Sequence, residues 1–243
     1  MRATISLLAL LALWLTASAI SNDDVLPSPY MVAIALIEEI RSGEMFRHLA
    51  ATLARTVAAF TVAMSVGAAL GVLMGNLQML NRWLDPWLIL FLNMPALVVI
   101  VLSYVWIGLN ESAVIVAVAL NKIPAVAVTM REGARSLEPK YFALARVFQL
   151  RPLDILRHIT LPQLVPYLVA SARTGLSLIW KIILLVELLG RSNGVGFQIN
   201  LYFQLFNIDL ILAYALAFIA VMMTVELTIM QPLERRANRW RHC

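Results

Sequence analysis

Long runs without a charged residue constrain this chain more than any other feature. Thr56–Asn81 and Pro86–Asn110 hold 26 and 25 uncharged residues. A bilayer's hydrocarbon core takes about 20 helical residues to cross, so each run is long enough to span it. Hydrophobic residues make up 61% of the 243 residues, above the range of roughly 45–50% in soluble domains. The excess excludes a soluble enzyme, a disulfide-stapled secreted domain and a disordered scaffold, and it predicts an integral membrane protein.

The apolar runs divide the chain into five or six predicted membrane spans. A span has to satisfy its backbone hydrogen bonds within its own segment, because the bilayer core offers no water, and a helix does so. The short alternating segments typical of a membrane barrel are absent from the sequence. We therefore expect an all-α integral membrane protein with about six transmembrane helices, at Ala3–Ile20, Thr56–Asn76, Pro86–Ile107, Ser112–Met130, Val165–Leu189 and Ile208–Met230.

The basic residues between these spans fall mainly on one side of the membrane. That side holds Arg2, Arg82, Arg131, Arg135, Lys140, Arg146, Arg151, Arg157, Arg235, Arg236, Arg239 and Arg241. On the other side, Arg41 and Arg47 are outnumbered by acidic residues, and Arg191 faces Asp209. The positive-inside rule predicts that the 131–164 loop and the C-terminus are cytoplasmic. The net charge of +5 is thereby explained by topology and predicts no nucleic-acid partner.

This topology divides the chain into a first helix at 1–20, a periplasmic or interfacial segment at 21–52, a transmembrane core at 53–230 and a basic cytoplasmic tail at 231–243. The first region has a second interpretation. Its Met1-Arg2, apolar run and Ala17-Ser18-Ala19 sequence are also typical of a cleaved signal peptide. Both interpretations leave every later span facing the same way.

The 131–164 loop is the one long polar connection between spans. Its pattern predicts an amphipathic helix over Pro139–Leu150, with Phe142, Ala145, Phe148 and Gln149 near one stripe. A second short helix is predicted at Pro152–Ile159, starting with a proline and ending before Leu161-Pro162. The residues alone allow two interpretations: a hairpin lying on anionic lipid headgroups, or a docking element for a soluble partner.

At this loop the chain resembles the permease subunits of ATP-binding-cassette importers. Their shared motif reads Glu-Ala-Ala, three residues, Gly, nine residues, then Ile-x-Leu-Pro. Here Ile159-Thr160-Leu161-Pro162 matches the end, which places Ala143-Leu144-Ala145 and Gln149 at the start. Ala143 replaces the family glutamate and Gln149 the family glycine. The resemblance therefore implies that Arg146 or Lys140 supplies the polar contact to the ATPase.

The resemblance extends over nearly the whole chain and is closest to the branch that imports nitrate, taurine and alkanesulfonates. Further residues follow that branch's order: Leu26-Pro27-Ser28-Pro29, His48-Leu49, Arg55, Leu84-Asp85-Pro86, Pro95, Trp106, Gly108, Glu111, Arg173, Glu187, Gly190 and Gly194-Val195-Gly196-Phe197. It implies a type I importer permease (MetI-like) fold in the bacterial inner membrane, a permease homodimer, two cytoplasmic ATP-binding subunits and an extracytoplasmic solute-binding protein. It also implies a contact with the ATPase through Ala143, Ala145, Arg146, Phe148, Gln149, Leu153, Ile159, Leu161 and Pro162.

Small residues and a proline mark two of the predicted spans. Gly67, Gly71 and Gly75 repeat every four residues and predict close packing of one helix on another. Pro95, preceded by Asn93, interrupts the third span. An interruption at this depth is either a packing kink or a place where freed carbonyls line the solute pathway.

Three ionisable residues lie inside predicted spans: Lys122, Lys181 and Glu187. Each costs a few kcal/mol at the bilayer centre unless it faces protein or water. They are either internal ion pairs or parts of a positively biased pathway for an anion such as a sulfonate, nitrate or carboxylate. A pair between Lys181 and Glu187 is unfavourable because six residues turn a helix by about 240°. Arg173 lies nearer the cytoplasm, where snorkelling explains it.

Several functions lack sequence support. The phosphate-loop pattern G-x-x-x-x-G-K-[ST] does not occur, so the chain is expected to carry no cofactor and ATP-Mg is expected on a partner subunit. The three histidines and the single cysteine, Cys243, are scattered and predict no metal site. The alternatives to an importer subunit are an ion-coupled secondary carrier that titrates its intramembrane Lys and Glu, and a purely structural subunit. The long basic hairpin favours the importer.

Overall fold

The computed structural model describes residues 2–21 and 26–238, which contain helices and no strand. This confirms the predicted all-α class. In chain order the helices are α1 (Arg2–Ile20), α2 (Pro29–Ser42), α3 (Glu44–Asn76), α4 (Gln78–Asn93), α5 (Ala96–Ile107), α6 (Glu111–Arg135), α7 (Pro139–Val147), α8 (Pro152–Ile155), α9 (Leu161–Gly190), α10 (Val195–Gln204), α11 (Ile208–Val225) and α12 (Gln231–Asn238).

In the described part of the chain, four or five of the five or six predicted membrane spans are present. Four are long and apolar enough: Glu44–Asn76, Glu111–Arg135, Pro152–Gly190 and Ile208–Ala237. The third predicted span is a pair of helices, α4 and α5, bent by 100°, and counting it as one broken span gives five. The apolar part of α1, Leu8–Ile20, is shorter than the roughly 20 residues that a crossing needs.

The second span starts twelve residues earlier than predicted. Gly43 ends α2 in the left-handed conformation, with φ of 82°, and α3 begins directly at Glu44. The backbone N–H of Glu44 donates to the Ser42 hydroxyl, and the Glu44 carboxylate pairs with Arg47 at 3.1 Å. Apolar length located the membrane-crossing part of the helix but missed this polar first turn.

The described chain forms two compact units, each built from separate stretches of sequence. One unit comprises residues 1–54 and 184–223, and the other comprises 55–183 and 224–243. The division does not follow the linear regions predicted from topology, because α3, α9 and α11 each contribute to both units. The membrane sides assigned to those regions stay a prediction.

In the second unit, α3 packs closely on α6 through its glycine stripe. A Cβ atom added at Gly67 would lie 2.6 Å from Cβ of Val126, and one at Gly71 would meet the backbone carbonyl of Ala127. One at Gly75 would meet Ala134. Backbones approach this closely only where side chains are missing, which is how small residues pack helices in lipid.

The two helices of the hairpin between α6 and α9 each end at a different residue from the one predicted. Its first helix stops at Val147, and Gln149 then takes φ of 50°, a left-handed turn for a residue with a side chain. The second helix does not end before Leu161-Pro162. A π-helical turn at Leu156–Thr160 leads from α8 directly into α9.

The π-helical turn explains why Pro162 does not stop the helix. Leu161 donates its N–H to the carbonyl of Leu156, five residues back. Proline has no N–H to continue the regular ladder, and a π-turn shifts the register at such a point. The Gln163 side chain then donates to the Ile159 carbonyl at 3.1 Å. A side chain thus supplies a donor to a turn in which proline provides none.

Candidate functional site

A buried polar cluster surrounds the N-terminus of α10 in the first unit. Three successive backbone N–H groups point into it. Gly194 donates to Nδ1 of His48 at 3.0 Å, Val195 to the Thr52 hydroxyl at 2.9 Å, and Gly196 to the Glu187 carboxylate at 2.9 Å. The first N–H groups of a helix lack partners within the helix and favour a negative charge. Glu187 therefore supplies its charge where the helix needs one.

The Glu187 carboxylate lies wholly within the protein, with no exposed surface. The Thr52 hydroxyl lies 3.0 and 2.9 Å from its two oxygens. Gly194 has φ of 111°, and a Cβ there would run into that carboxylate. The cluster thus requires glycine at this position both for its backbone conformation and for space. Glu187 is held by these donors, and its assignment to the solute pathway stays a prediction.

The His48 ring fixes the proton arrangement of the cluster. Its Nδ1 accepts from Gly194, so the neutral ring carries its proton on Nε2. The amide end of Gln198 lies 2.7 Å from Nε2. When the Gln198 amide is turned so that its oxygen faces the ring, that oxygen accepts the hydrogen bond from the Nε2 proton. Phe197 stacks on the other side of the ring, with centroids 6.2 Å apart. These contacts make His48 a structural residue of this turn.

Arg55 and Glu111 form a bidentate ion pair in the second unit. Nε and Nη2 of Arg55 donate to the two carboxylate oxygens, each at 2.7 Å, and the arginine is 4% exposed. Bidentate pairs are the strongest charge-assisted hydrogen bonds in proteins. Sequence order placed both residues in the family pattern, but no local signal showed that they meet.

The two lysines of the spans lie in different environments. Lys122 is 5% exposed and lies in the middle of α6, where a Cβ at Gly175 of α9 would be 3.3 Å from its Cε atom. Lys181 lies on an exposed face of α9. The second unit therefore buries one of the two lysines predicted in the pathway and exposes the other.

The broken third span has its polar groups at the bend. Asn93 ends α4 and donates its side-chain amide to the Ile89 carbonyl at 2.7 Å, which satisfies one carbonyl of the last turn. Pro95 precedes the first residue of α5 as an exposed cap. The bend of 100° is far larger than a packing kink, so Met94 and Pro95 separate two helices rather than distort one.

Arg173 forms ion pairs with two acidic residues, and its snorkelling towards the cytoplasmic side stays a prediction. Its Nε donates to Glu226 at 2.9 Å, and a second nitrogen pairs with Glu234. Glu226 begins a π-helical turn, Glu226–Met230, that joins α11 to α12. Arg173 therefore joins α9 to both sides of this turn. The acids are 53 and 61 residues away along the chain, too far for pattern reasoning to connect them.

The predicted coupling residues are mostly at the surface of the hairpin. Phe148 is 68% and Leu153 72% exposed, while Ala145 is 1% exposed and anchors α7. Ile159 is half-buried within the π-helical turn. The remaining predicted coupling residues are exposed: Ala143, Arg146, Gln149, Leu161 and Pro162.

Sequence reasoning missed the residues that bind the predicted ones. Thr52 and Gln198 complete the His48 and Glu187 cluster, and Tyr167 packs on Gly133, where a Cβ would lie 2.7 Å from the ring. Polar residues within apolar helices were the available signal for Thr52. Among the described residues no group of three or more His, Cys, Asp or Glu side chains is placed to hold a metal ion.

Comparison with known proteins finds similar permeases over almost the whole chain. Two permease proteins named SsuC, for aliphatic sulfonate transport, are 28% identical over 96% of this chain and 85% of the relative (Bacillus subtilis strain 168) and 30% identical over 95% and 88% (Escherichia coli K12). The taurine transport system permease protein TauC of Escherichia coli K12 is 26% identical over 97% and 88%. These matches confirm the predicted branch.

The fold also matches a solved transporter, and a family model matches most of the chain. An inward-facing structure of the MetNI methionine ABC transporter aligns with a TM-score of 0.66 and 19% identity, over 77% of this chain and 93% of that one. The likeness confirms the predicted MetI-like fold. The family model matches residues 67–238. The chain therefore belongs to the family of binding-protein-dependent transport system inner membrane components.

Proposed function

We propose that this permease carries a small anion across the inner membrane and is driven by a separate cytoplasmic ATPase that docks on its hairpin, residues 139–162. ATP and Mg²⁺ are bound by that subunit, and an extracytoplasmic binding protein delivers the solute. Two copies of the permease surround the pathway, because a chain with four or five spans supplies only part of the helices that enclose it. The C-terminus faces the cytoplasm, as the basic connections indicate.

The observation that carries this proposal is the exposed apolar surface of the hairpin. Phe148 and Leu153 are joined there by Leu144 and Val147, which are 54% and 77% exposed. Contiguous exposed apolar side chains mark interaction sites. Arginines flank them at 146, 151 and 157, which suits a partner whose docking cleft has an apolar floor and a polar rim. A hairpin resting on lipid would also bury apolar side chains at the membrane surface, and it is the family assignment that favours the docking site.

The names of the relatives support the class of solute. Permeases of aliphatic sulfonate and taurine transport match 95 to 97% of this chain at 26 to 30% identity. Both named solutes carry a sulfonate group. An anion pathway also gives a role to the lysines of the spans, and the predicted pathway residues are Asn93, Pro95, Lys122, Lys181 and Glu187. An ion-coupled carrier leaves the hairpin without a role, and the family assignment favours the importer.

The outer surface offers a place for the binding protein. A cleft of about 330 Å³ lies between α2 and the start of α11 in the first unit, with Glu38, Glu39 and Asp209 around an apolar floor that includes Met31 and Ile34. Acidic rims and apolar floors accept lysine and arginine side chains, which lay their stems on the floor. We assign this cleft to a basic edge of the binding protein.

The hairpin assignment is tested with Phe148→Asp and Leu153→Asp. The matched control is Leu77→Asp, which places the same charge on a 52% exposed leucine between α3 and α4. Apolar anchors carry most of an interface's energy, so each hairpin variant should lose about 2 kcal/mol of binding or more. The ATPase should fail to co-purify with the hairpin variants but should co-purify with the control. Normal ATPase binding and uptake in both hairpin variants would refute the docking assignment.

A further inference from the structure

Lys122 is a lysine buried in the middle of a helix that is long enough to span the membrane. It is the twelfth residue of the 25 in α6, too far from either end to reach the headgroups. Its Cε packs where Gly175 of α9 has no side chain, with Sδ of Met64 on α3 also close to that glycine. The lysine is thus enclosed by three helices of the second unit.

The acidic residues of that unit are engaged elsewhere. Residues 55–183 and 224–243 contain seven of them, all in the described part of the chain. Six pair with a cation: Asp85 and Glu132 with Arg131, Glu111 with Arg55, Glu138 with Lys140, and Glu226 and Glu234 with Arg173. The seventh, Asp154, lies in the hairpin. Lys122 therefore lacks an acidic counterion in its own unit.

A lysine buried without a counterion costs several kcal/mol. Methionine would fill the same space without that cost, so packing alone does not explain the residue. Pro124 lies two residues further along α6 and is also buried. Because proline has no N–H, the Leu120 carbonyl loses its usual partner one turn before, and the helix is loosened beside the charge. A polar ligand that binds beside Lys122 and is then released explains both the buried lysine and the loosened helix.

We infer that Lys122 is the residue that contacts the anionic head of the solute, with Gly175 as the positioning residue that leaves room for it. The inference rests on the proposed function and names its recognition group. An ammonium offers three donors, which suit the three oxygens of a sulfonate, and a charge-assisted hydrogen bond is stronger in a site without water. In this conformation Lys122 is covered, so the solute reaches it when α6 and α9 separate during transport.

The test exchanges the charge and then restores it chemically. Lys122→Met is assembled with the ATPase and the binding protein in vesicles, and uptake of radiolabelled taurine and ethanesulfonate is measured beside wild type. Lys122→Cys is made with Cys243→Ser, which removes the chain's only native thiol. An aminoethyl methanethiosulfonate reagent then returns a positive charge to position 122. Arg82→Met is the charge-matched control, an exposed cation in α4.

We expect Lys122→Met to assemble normally and to lose uptake at least tenfold, the factor that a hydrogen bond to a charged group contributes. Aminoethylation should restore uptake in Lys122→Cys, and ethanesulfonate should slow the labelling. Normal uptake in Lys122→Met, a thiol at 122 that stays unlabelled during transport, or loss of assembly would each overturn the inference. If wild type imports neither sulfonate, the proposed solute class fails instead.

Discussion

Replacing Glu187 by alanine should be among the most damaging single changes outside the hairpin. The substitution removes the acceptor of the Gly196 N–H at 2.9 Å and of the Thr52 hydroxyl at 2.9 to 3.0 Å, all at full burial. The Gly196 N–H is left without a partner, which costs about 1–3 kcal/mol, whereas the Thr52 hydroxyl still has the His48 carbonyl at 3.1 Å as an acceptor. The removed side chain also leaves a cavity, and relief from burying the carboxylate charge offsets part of the loss. We expect a net loss of about 2 kcal/mol in the free energy of unfolding.

The assay is the thermal midpoint of the purified permease in detergent, followed by loss of the monodisperse peak on size exclusion. For a chain of 243 residues, 1 kcal/mol shifts the midpoint by about 2–4 °C, so Glu187→Ala should melt about 4–8 °C below wild type. Glu187→Gln keeps one side-chain oxygen as an acceptor, so its thermal midpoint should lie between those of Glu187→Ala and wild type. Glu38→Ala, an exposed carboxylate of the same unit, should stay within about 2 °C. If Glu187→Ala melts with that control, the carboxylate does not stabilise the turn at α10.

Three further changes test other contacts. Gly71→Val should prevent assembly, because its Cβ would meet the Ala127 carbonyl, whereas Ala69→Val on an exposed face of α3 should purify in normal yield; equal yields would contradict the packing. Arg173→Met should lower the free energy of unfolding by about 2 kcal/mol, since Glu226 and Glu234 lose their partner, and a thermal midpoint equal to wild type would contradict a stabilising role of these ion pairs. Gln149→Gly should raise hairpin stability by up to about 1 kcal/mol by relieving its left-handed backbone, seen as slower proteolysis of the hairpin; faster proteolysis would argue against strain there.

How much the sequence predicted depends on the range of the interaction. Apolar length located the helices at Thr56–Asn76 and Ser112–Met130, because a span is a local property of some twenty residues. The end predicted before Leu161-Pro162 was wrong because the helix passes through a π-helical turn whose register no local pattern records. The ion pairs of Arg173 were not predicted, because its acidic partners lie more than 50 residues away along the chain.

The polar cluster at α10 shows the same limit more strongly. Glu187 was recognised as an intramembrane charge, but Thr52 is 135 residues earlier in the chain. A single sequence indicates that burying this carboxylate is costly, but it does not identify the groups that compensate the cost. Gly194 could be read as a turn residue, while the reason for glycine there, a carboxylate filling the space of a Cβ, exists only in three dimensions.

The run of helix from Pro152 to Gly190 joins the end of the hairpin to α9 without an intervening loop. Its 39 residues measure about 58 Å at 1.5 Å per residue. Leu153 and Gly175 both lie on this run of helix in the second unit, 22 residues and about 33 Å apart. We therefore expect a rotation of the helix at Leu153 to reach the surface that faces Lys122. The π-helical turn at Leu156–Thr160 lies between these two residues, so we expect the stiffness of its five residues to set how much of a movement at the hairpin reaches Gly175.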